Sequence, residues 1–376
     1  MARGCLEVRL GCVGEVAASG QYNSPIYVRS ARSAESQLLG DKILTDAMVG
    51  MAVTGSGSAM PAAALDNHAL SNLVETSDDW VTTRTGIRQR RVAGPTESLV
   101  QLSALAAREA IAMAGLTPKD LDAIVLATST PDDLFGSAGK IQKELEAPQA
   151  VAFDLTAACS GFLFGLVTIA QFLRTGTYRN ALVIGADILS RWVDWRDRRT
   201  CVLFGDGAGA VVVQATSDRD RLLGFELRSD GSQNDCLQLP YQGKPYHLVD
   251  EVDITQGNYQ PIFMNGKEVF RFAVKRVPEA IEKALFRAQM DIEQVDWLLL
   301  HQANQRILDA VGDRLQVPSE KILSNLATYG NTSAASIPIV LDEAVRADKI
   351  QPGDVIAASG FGAGLSWGAA IFEWGR

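Results

Sequence analysis

From Ala52 to the C-terminus, short apolar runs alternate with amphipathic stretches of about 10–15 residues, the pattern of strands and covering helices of an α/β fold. One run, Ala150-Val151-Ala152-Phe153-Asp154-Leu155, reads as a short buried strand. It leads into the small-residue turn Thr156-Ala157-Ala158-Cys159-Ser160, then into an apolar helix that ends near Gly176. Cys159 therefore stands where a helix begins. Unpaired backbone N–H groups and the positive end of the macrodipole favour thiolate over thiol there, and the thiolate is the nucleophile. The position equally suits a small apolar residue filling a strand–helix junction, because free cysteine is among the most buried residue types. Local sequence leaves both readings open.

The pattern then recurs. Leu116-Thr117-Pro118-Lys119-Asp120-Leu121-Asp122-Ala123-Ile124-Val125-Leu126 closes a helical stretch and opens a strand, and Met290-Asp291-Ile292-Glu293-Gln294-Val295-Asp296-Trp297-Leu298-Leu299-Leu300 does the same. Asp122 and Asp296 lie 174 residues apart (296 − 122 = 174). The same offset carries Cys159 onto Ser333, inside a second small-residue turn that opens a second helix. The chain thus divides into halves at 48–217 and 218–376, related by duplication. A pseudo-twofold pair of such turns brings Cys159 and Asn331 together where the halves meet. His301 ends the run Trp297-Leu298-Leu299-Leu300, and strand ends are where open α/β sheets carry their chemistry. Taken singly, His301 also fits an ordinary core or capping histidine, and Asn331 an ordinary left-handed turn residue. Residues 1–47 lack the periodicity, have no apolar core long enough for a secretory signal, and carry acidic residues that suit a transit peptide poorly. They are expected to be a weakly ordered extension, or to precede a true start at Met48 or Met51.

Composition narrows the function classes. The 376 residues carry a formal net charge of −9, which argues against a general nucleic-acid or membrane-surface binder. No apolar run reaches the roughly 18 residues of a membrane span. The five cysteines (5, 12, 159, 201 and 236) form no C-x-x-C pair, which fits a reducing, cytoplasmic setting and free thiols, not a disulfide frame or a metal site. Gly205-Asp206-Gly207-Ala208-Gly209 imitates a phosphate loop, but the apolar run after it reads as a strand, the wrong order for a dinucleotide fingerprint. It reads as close backbone packing, with Asp206 structural. The arginines at 84, 88, 90 and 91 suit either an anion footprint or a solvated basic face.

Ala157-Ala158-Cys159-Ser160-Gly161-Phe162, His301-Gln302-Ala303-Asn304 and Gly330-Asn331-Thr332-Ser333-Ala334-Ala335-Ser336-Ile337-Pro338 resemble the three active-site blocks of the β-ketoacyl-acyl carrier protein synthase III family, the initiating condensing enzymes of type II fatty acid synthesis. Thr76-Ser77-Asp78-Asp79-Trp80 with Arg84-Thr85-Gly86-Ile87-Arg88, Phe204–Ala210, and Phe361-Gly362-Ala363-Gly364 with Trp367-Gly368 agree, in order, from about residue 50 to 376. The resemblance implies a thiolase-like fold with two βαβαβαββ halves in five α-β-α-β-α layers. It also implies a Cys159–His301–Asn331 triad. His68 and His247 lie on neither turn, so this chain can assemble only the His–Asn version of the site.

The implied chemistry has two stages. An acyl-coenzyme A, with acetyl as the expected primer, acylates Cys159; malonyl-acyl carrier protein then decarboxylates and condenses with the acyl group. His301 Nε2–H and the Asn331 amide would stabilise the enolate, and the backbone N–H groups of Cys159 and Ala363 the acyl carbonyl. The family has glycine where Ala363 stands, so a positive φ there would be strained. Phe361 would exclude water. Trp80 and Arg198 would sandwich the adenine of coenzyme A, and Arg84 would meet its phosphates. Arg306, Arg271 and Gln302 would dock the acyl carrier protein, with Asp309 and Asp313 weakening that patch. Phe135 would reach across a homodimer to limit the acyl pocket. The resemblance implies no permanently bound cofactor and no metal, and leaves a synthase with another primer, as in polyketide priming, as the nearest alternative. A non-condensing acyl-coenzyme A hydrolase would use the same Cys159 and His301; a catalytically silent subunit would have lost Cys159.

Overall fold

The computed structural model describes residues 50–375, and the expectations for residues 1–47 and for a start at Met48 lie outside them. Strands β1 (Gly50–Ala59), β2 (Ala123–Ala127), β3 (Val151–Leu155), β4 (Asn180–Asp187) and β5 (Gly207–Thr216) form one sheet in the order β1-β5-β4-β2-β3. Strands β6 (Leu222–Ser229), β7 (Trp297–Leu300), β8 (Ile322–Leu323), β9 (Val355–Gly362) and β10 (Ser366–Glu373) form the second, in the order β6-β10-β9-β7-β8. Each strand of the second sheet holds the place of its counterpart in the first. In both, the three strands at one end are parallel and the other two pairings antiparallel.

The helices repeat as well. α1 (Leu99–Met113), α2 (Ala138–Leu145) and α3 (Gly161–Arg174) alternate with the strands of the first sheet, and α4 (Gly266–Ala288), α5 (Gln305–Leu315) and α6 (Ser336–Arg346) with those of the second. Both runs therefore read βαβαβαββ, in a thiolase-like arrangement. Helices α1 and α2 pack on the outer face of the first sheet, through Leu102, Ala106 and Ile141. Helix α4 covers the outer face of the second sheet and α5 packs beside it, through Phe272, Ile281 and Leu308. Helices α3 and α6 lie between the sheets, touching Val183 and Val211 of one and Ile356 and Ala370 of the other. Sequence explains that placement: α3 is apolar almost all round, as a helix covered on both sides must be. Helix α1, facing solvent on one side, begins instead with a capping box in which Ser98 and Gln101 satisfy each other's backbone N–H groups.

The glycine-rich stretch serves close packing. A Cβ on Gly205 would lie 2.2 Å from the Tyr329 carbonyl oxygen, and one on Gly209 2.8 Å from Ile339 N and Pro338. Asp206 accepts from the backbone N–H groups of Ala93 and Ser190 and from the Ser190 hydroxyl, a structural role. His247 belongs to an exposed hairpin, Tyr241–Val249 with Val252–Tyr259, inserted between β6 and α4, within the second half. Lys244, His247 and Asp253 hide the β alternation in the sequence, while Tyr246, Leu248 and Ile254 are the apolar members.

Burial between the sheets sets a clear stability contrast. Leu163→Ala on α3, fully buried, should cost about 2–5 kcal/mol in denaturant unfolding. Leu105→Ala, exposed on α1, should stay within about 0.5 kcal/mol.

Candidate active site

The site grows from the two turns that open the central helices. After β3 the chain makes a single 3-10 turn, Ala158–Ser160, before α3; after a short helix Leu326–Tyr329 it makes its counterpart, Ser333–Ala335, before α6. The residue that begins each turn has a left-handed backbone, φ +47° at Ala158 and +51° at Ser333. The turns therefore match with an offset of 175 (333 − 158), one more than the strands, and the true counterpart of Cys159 is Ala334. Ser333 is instead its neighbour across the pseudo-twofold axis, with Oγ 3.3 Å from Cys159 Sγ. A glycine on each sheet lets the opposite turn come close. A Cβ on Gly185 of β4 would meet the Ala334 carbonyl oxygen at 2.1 Å, and one on the equivalent Gly360 of β9 would lie 3.5 Å from the Cys159 carbonyl oxygen.

Asn331 is held by its backbone and aimed by its amide. Its N–H donates to the Leu203 carbonyl at 2.9 Å, and its own carbonyl accepts from Gly205 N–H at 2.9 Å. Gly330 before it has φ +67°, and a Cβ there would lie 2.7 Å from the Leu203 carbonyl oxygen, so the Gly-Asn pair is required by both conformation and space. The Ser333 N–H donates to Asn331 Oδ1 at 2.9 Å. That leaves the Asn331 NH2 as a donor free to serve the cleft.

His301 follows β7, its N–H donating to the Ser359 carbonyl at 2.8 Å and its Nδ1 2.7 Å from Ser336 Oγ. Phe361 meets its ring edge-on, with centroids 5.3 Å apart. Burial lowers the imidazole to about 3, so the ring is neutral near pH 7. Burial also pushes the Cys159 thiol up to about 12, with Ser333 offsetting part of the shift and nearby Asp187 adding to it. Burial at this sulphur therefore acts against the thiolate that the helix start favours. Cys159, His301, Asn331 and Phe361 line one cleft of about 550 Å³, mostly apolar in its walls.

Comparison with known proteins agrees with this geometry. Residues 153–231 match the family described as 3-Oxoacyl-[acyl-carrier-protein (ACP)] synthase III, and residues 285–374 match its C-terminal part. A beta-ketoacyl-[acyl-carrier-protein] synthase III of Nostoc sp. is 70% identical over 328 residues, covering 87% of this chain and 99% of that protein. The chain belongs to the beta-ketoacyl-[acyl-carrier-protein] synthase III family. The crystal structure of the 3-oxoacyl-[acyl-carrier-protein] synthase III of Aquifex aeolicus is 41% identical with a TM-score of 0.79, covering 86% of this chain and all of that one. The priming beta-ketosynthase of the R1128 polyketide pathway is 33% identical, also with a TM-score of 0.79, over 88% of this chain and 97% of that one.

The remaining residues of this synthase fall in three places. Trp80 and Arg84 lie on the helix Asp78–Thr85, whose Ser77 N-cap accepts from the Trp80 N–H. The Arg84 and Arg198 guanidinium groups sit 4.5 and 5.0 Å from the Trp80 ring centroid, and Asn304, at the cleft rim, donates to the Arg84 carbonyl. Arg271 and Arg306 also line the rim, joined by Lys267, which sequence reasoning missed. Arg271 pairs with Glu268, and Arg306 lies over the Phe270 ring; Asp309 takes Gln305, not Arg306. Gln302 contradicts its expected docking role. It is fully buried, donating to the Leu300 carbonyl and accepting from Ser324 Oγ, so no partner can reach it.

Phe135 is fully exposed and lines no part of the cleft that holds Cys159 in its own chain. Ala363 is half-buried and has no positive φ; the left-handed position falls on Gly364, so the expected strain at Ala363 is absent. It is Gly362 that packs on the nucleophile turn, where a Cβ would lie 2.6 Å from Cys159 N. Sequence reasoning also gave no role to Ser333, Ser336 or Asp187, although the 174-residue offset pointed straight at Ser333.

The neutral histidine has a measurable consequence. Between about pH 6.5 and 3 the unfolded chain binds a proton that folded His301 refuses, so stability falls as pH drops through that window. One such proton contributes at most about 1.4 kcal/mol per pH unit, and nothing above about pH 6.5. His301→Gln should flatten the acid limb of a stability profile taken by denaturant unfolding from pH 4 to 8; an unaltered slope would assign it to other groups.

Proposed function

We propose that this synthase starts acyl chains by moving an acyl group, acetyl in the first instance, from coenzyme A to Cys159. It then condenses that group with malonyl-acyl carrier protein, releasing coenzyme A and carbon dioxide and giving a 3-oxoacyl-acyl carrier protein. The observation that supports this most is the convergence of one thiol and two neutral donors on one apolar cleft. With the Ser336 hydroxyl donating to Nδ1, His301 presents Nε2–H to the cleft, beside the Asn331 NH2. Two preorganised neutral donors suit the oxygen of a thioester enolate, which becomes negative as carbon dioxide departs. Phe361, buried against His301, keeps water from the acyl thioester.

The periphery fits the two carriers of the acyl groups. Trp80 offers a stacking face for the adenine of coenzyme A; Arg198, now against that ring, would close over the base, and Arg84 would meet phosphate. Lys267, Arg271 and Arg306 at the rim give an acidic carrier protein a positive landing surface. Phe135 reaches outward beside exposed Leu134, near the edge strand β3, consistent with a homodimer in which it limits the partner's acyl pocket. Among the described residues no helix is long and apolar enough to cross a membrane, in keeping with a cytoplasmic enzyme.

Intact-protein mass spectrometry after incubation with acetyl-coenzyme A, then with malonyl-acyl carrier protein, tests the reading. One acetyl adduct on Cys159, discharged as acetoacetyl-acyl carrier protein, is expected. A stable adduct only from another acyl-coenzyme A would move the reading to a different primer, and release of free acid without malonyl dependence would make the protein a hydrolase. Cys159→Ala should abolish the adduct. Asn331→Ala should slow malonyl decarboxylation by about 100-fold or more, with a much smaller effect on self-acylation.

A further inference from the structure

Asn331 lies in neither sheet, yet its amide must be aimed at one oxygen. Its backbone is held by a two-bond ladder to the stretch Leu203–Gly205, with Phe204 directly opposite. A ladder of that length is only as fixed as the segment that carries it. That segment and the approach to Asn331 both lie against one short strand of the first half, Gln89–Arg91. The Arg88 N–H donates to the Ala327 carbonyl at 3.0 Å, in the short helix before Gly330, and the Arg91 carbonyl accepts from the Asp206 N–H at 2.9 Å. Between them stands Arg90, which is fully buried. Its guanidinium reaches three neutral acceptors: Nη1 donates to the Leu65 carbonyl at 2.9 Å, and Nη2 to Asn67 Oδ1 at 2.9 Å and to the Val202 carbonyl at 2.8 Å. Val202 immediately precedes the ladder that holds Asn331. The stem covers the glycines beside that ladder: a Cβ on Gly205 or on Gly330 would meet Arg90 Cβ, at 3.2 and 3.4 Å. Asn67 is fixed in turn, its NH2 donating to the Ile87 carbonyl at 2.8 Å and to Asp78 at 2.9 Å. Among the described residues no carboxylate forms an ion pair with Arg90, and its Nε has no partner. Burial lowers the guanidinium to about 10, which leaves it charged near neutral pH. A buried cation held only by neutral groups is a poor source of stability, since an apolar side chain of similar volume would serve as well. What a guanidinium adds is a rigid fork that sets several acceptors at fixed places.

We propose that Arg90 is a positioning residue for Asn331: it sets the Val202 carbonyl, and with it the ladder that aims the Asn331 NH2 at the enolate oxygen. The proposal rests on the decarboxylating role given to Asn331 above. Arg90 lines no part of the cleft and touches no reacting atom. It acts through Asn331, so it serves the half-reaction that uses Asn331 and spares the one carried by Cys159. A preorganised donor stabilises developing charge far better than one that must be brought into place, and a misplacement of about 1 Å can cost about 100-fold in rate.

The test separates the two half-reactions in Arg90→Met, which keeps an unbranched stem over Gly205 and Gly330 and removes the fork. Acetyl transfer to Cys159 is followed by mass spectrometry. Carbon dioxide release from labelled malonyl-acyl carrier protein is followed on enzyme acetylated beforehand. Self-acylation should stay within about twofold of wild type, while kcat for decarboxylation falls about 10-fold with little change in KM. In the Asn331→Ala background the same substitution should cost nothing further, because the group it aims is gone. Equal losses in both half-reactions, or an undiminished loss on top of Asn331→Ala, would overturn the proposal. Arg90→Lys, with one nitrogen in place of the fork, should lose most of the same rate; full activity there would mean that Arg90 supplies charge and not geometry, and would overturn it as well. If neither variant gives a folded enzyme by circular dichroism, the arginine serves the fold at large and the proposal falls. Wild-type enzyme that takes no acetyl group, or an Asn331→Ala variant with undiminished decarboxylation, would instead bring down the reading on which this one stands.

Discussion

Everything in this site depends on how closely two backbone turns approach each other through the seam between the sheets. Gly185 lies under the carbonyl of Ala334, and Gly360 under the carbonyl of Cys159, so each sheet carries the other half's turn on a bare Cα. No side chain fits at Gly185 without pushing the turn away by more than an ångström. The approach puts Ser333 Oγ against Cys159 Sγ, and it seats Asn331 and Cys159 on one cleft although 172 residues separate them (331 − 159). Neither half can line the cleft alone: Cys159 comes from one, His301 and Asn331 from the other. Close packing of α3 and α6 between the sheets is what fixes the seam, since the central apolar layer has no polar alternative.

The second constraint is that the cleft is buried and mostly apolar, and burial bears on which protonation states the chemistry can use. It pushes the Cys159 thiol up and the His301 ring down, so that the imidazole is neutral near pH 7. A charged imidazolium would bind an enolate more strongly, but it would also bind the malonyl carboxylate that must lose its charge. Neutral donors aimed at one oxygen discriminate better, because they reward charge where it develops and attract little elsewhere.

Much of this was legible in the residues, for reasons that can be named. A duplicated α/β pattern leaves its period in the sequence, and that period located the second turn to within one residue. Cys159, His301 and Asn331 were readable because each follows an apolar run or a glycine, where chain direction and side-chain placement are tightly linked. Gln302 was not, because polarity reports the need for partners and says nothing of whether water or the Leu300 and Ser324 groups supply them. The burial of Cys159 was not legible, because a helix start is a local signal, while desolvation depends on what the opposite half lays over it.

Rim and cleft divide the work between rate of encounter and chemistry. The chain is acidic overall, with a net charge of −9, yet Lys267, Arg271 and Arg306 stand together at the mouth and Arg84 and Arg198 beside it. Exposed cations of this kind contribute little to stability but steer anionic partners, and salt weakens that steering over about 8–10 Å. Arg271 spends part of its charge on Glu268, while Arg306 rests on the Phe270 ring and makes no ion pair among the described residues. Further in, the described residues lining the cleft include no formal cation, only His301 and Asn331 as polar side chains besides the Cys159 thiol. On the proposed reaction, the malonyl anion is drawn to the entrance and meets no partner further in except at the oxygen where the enolate would form, so that its favourable way forward is to lose carbon dioxide.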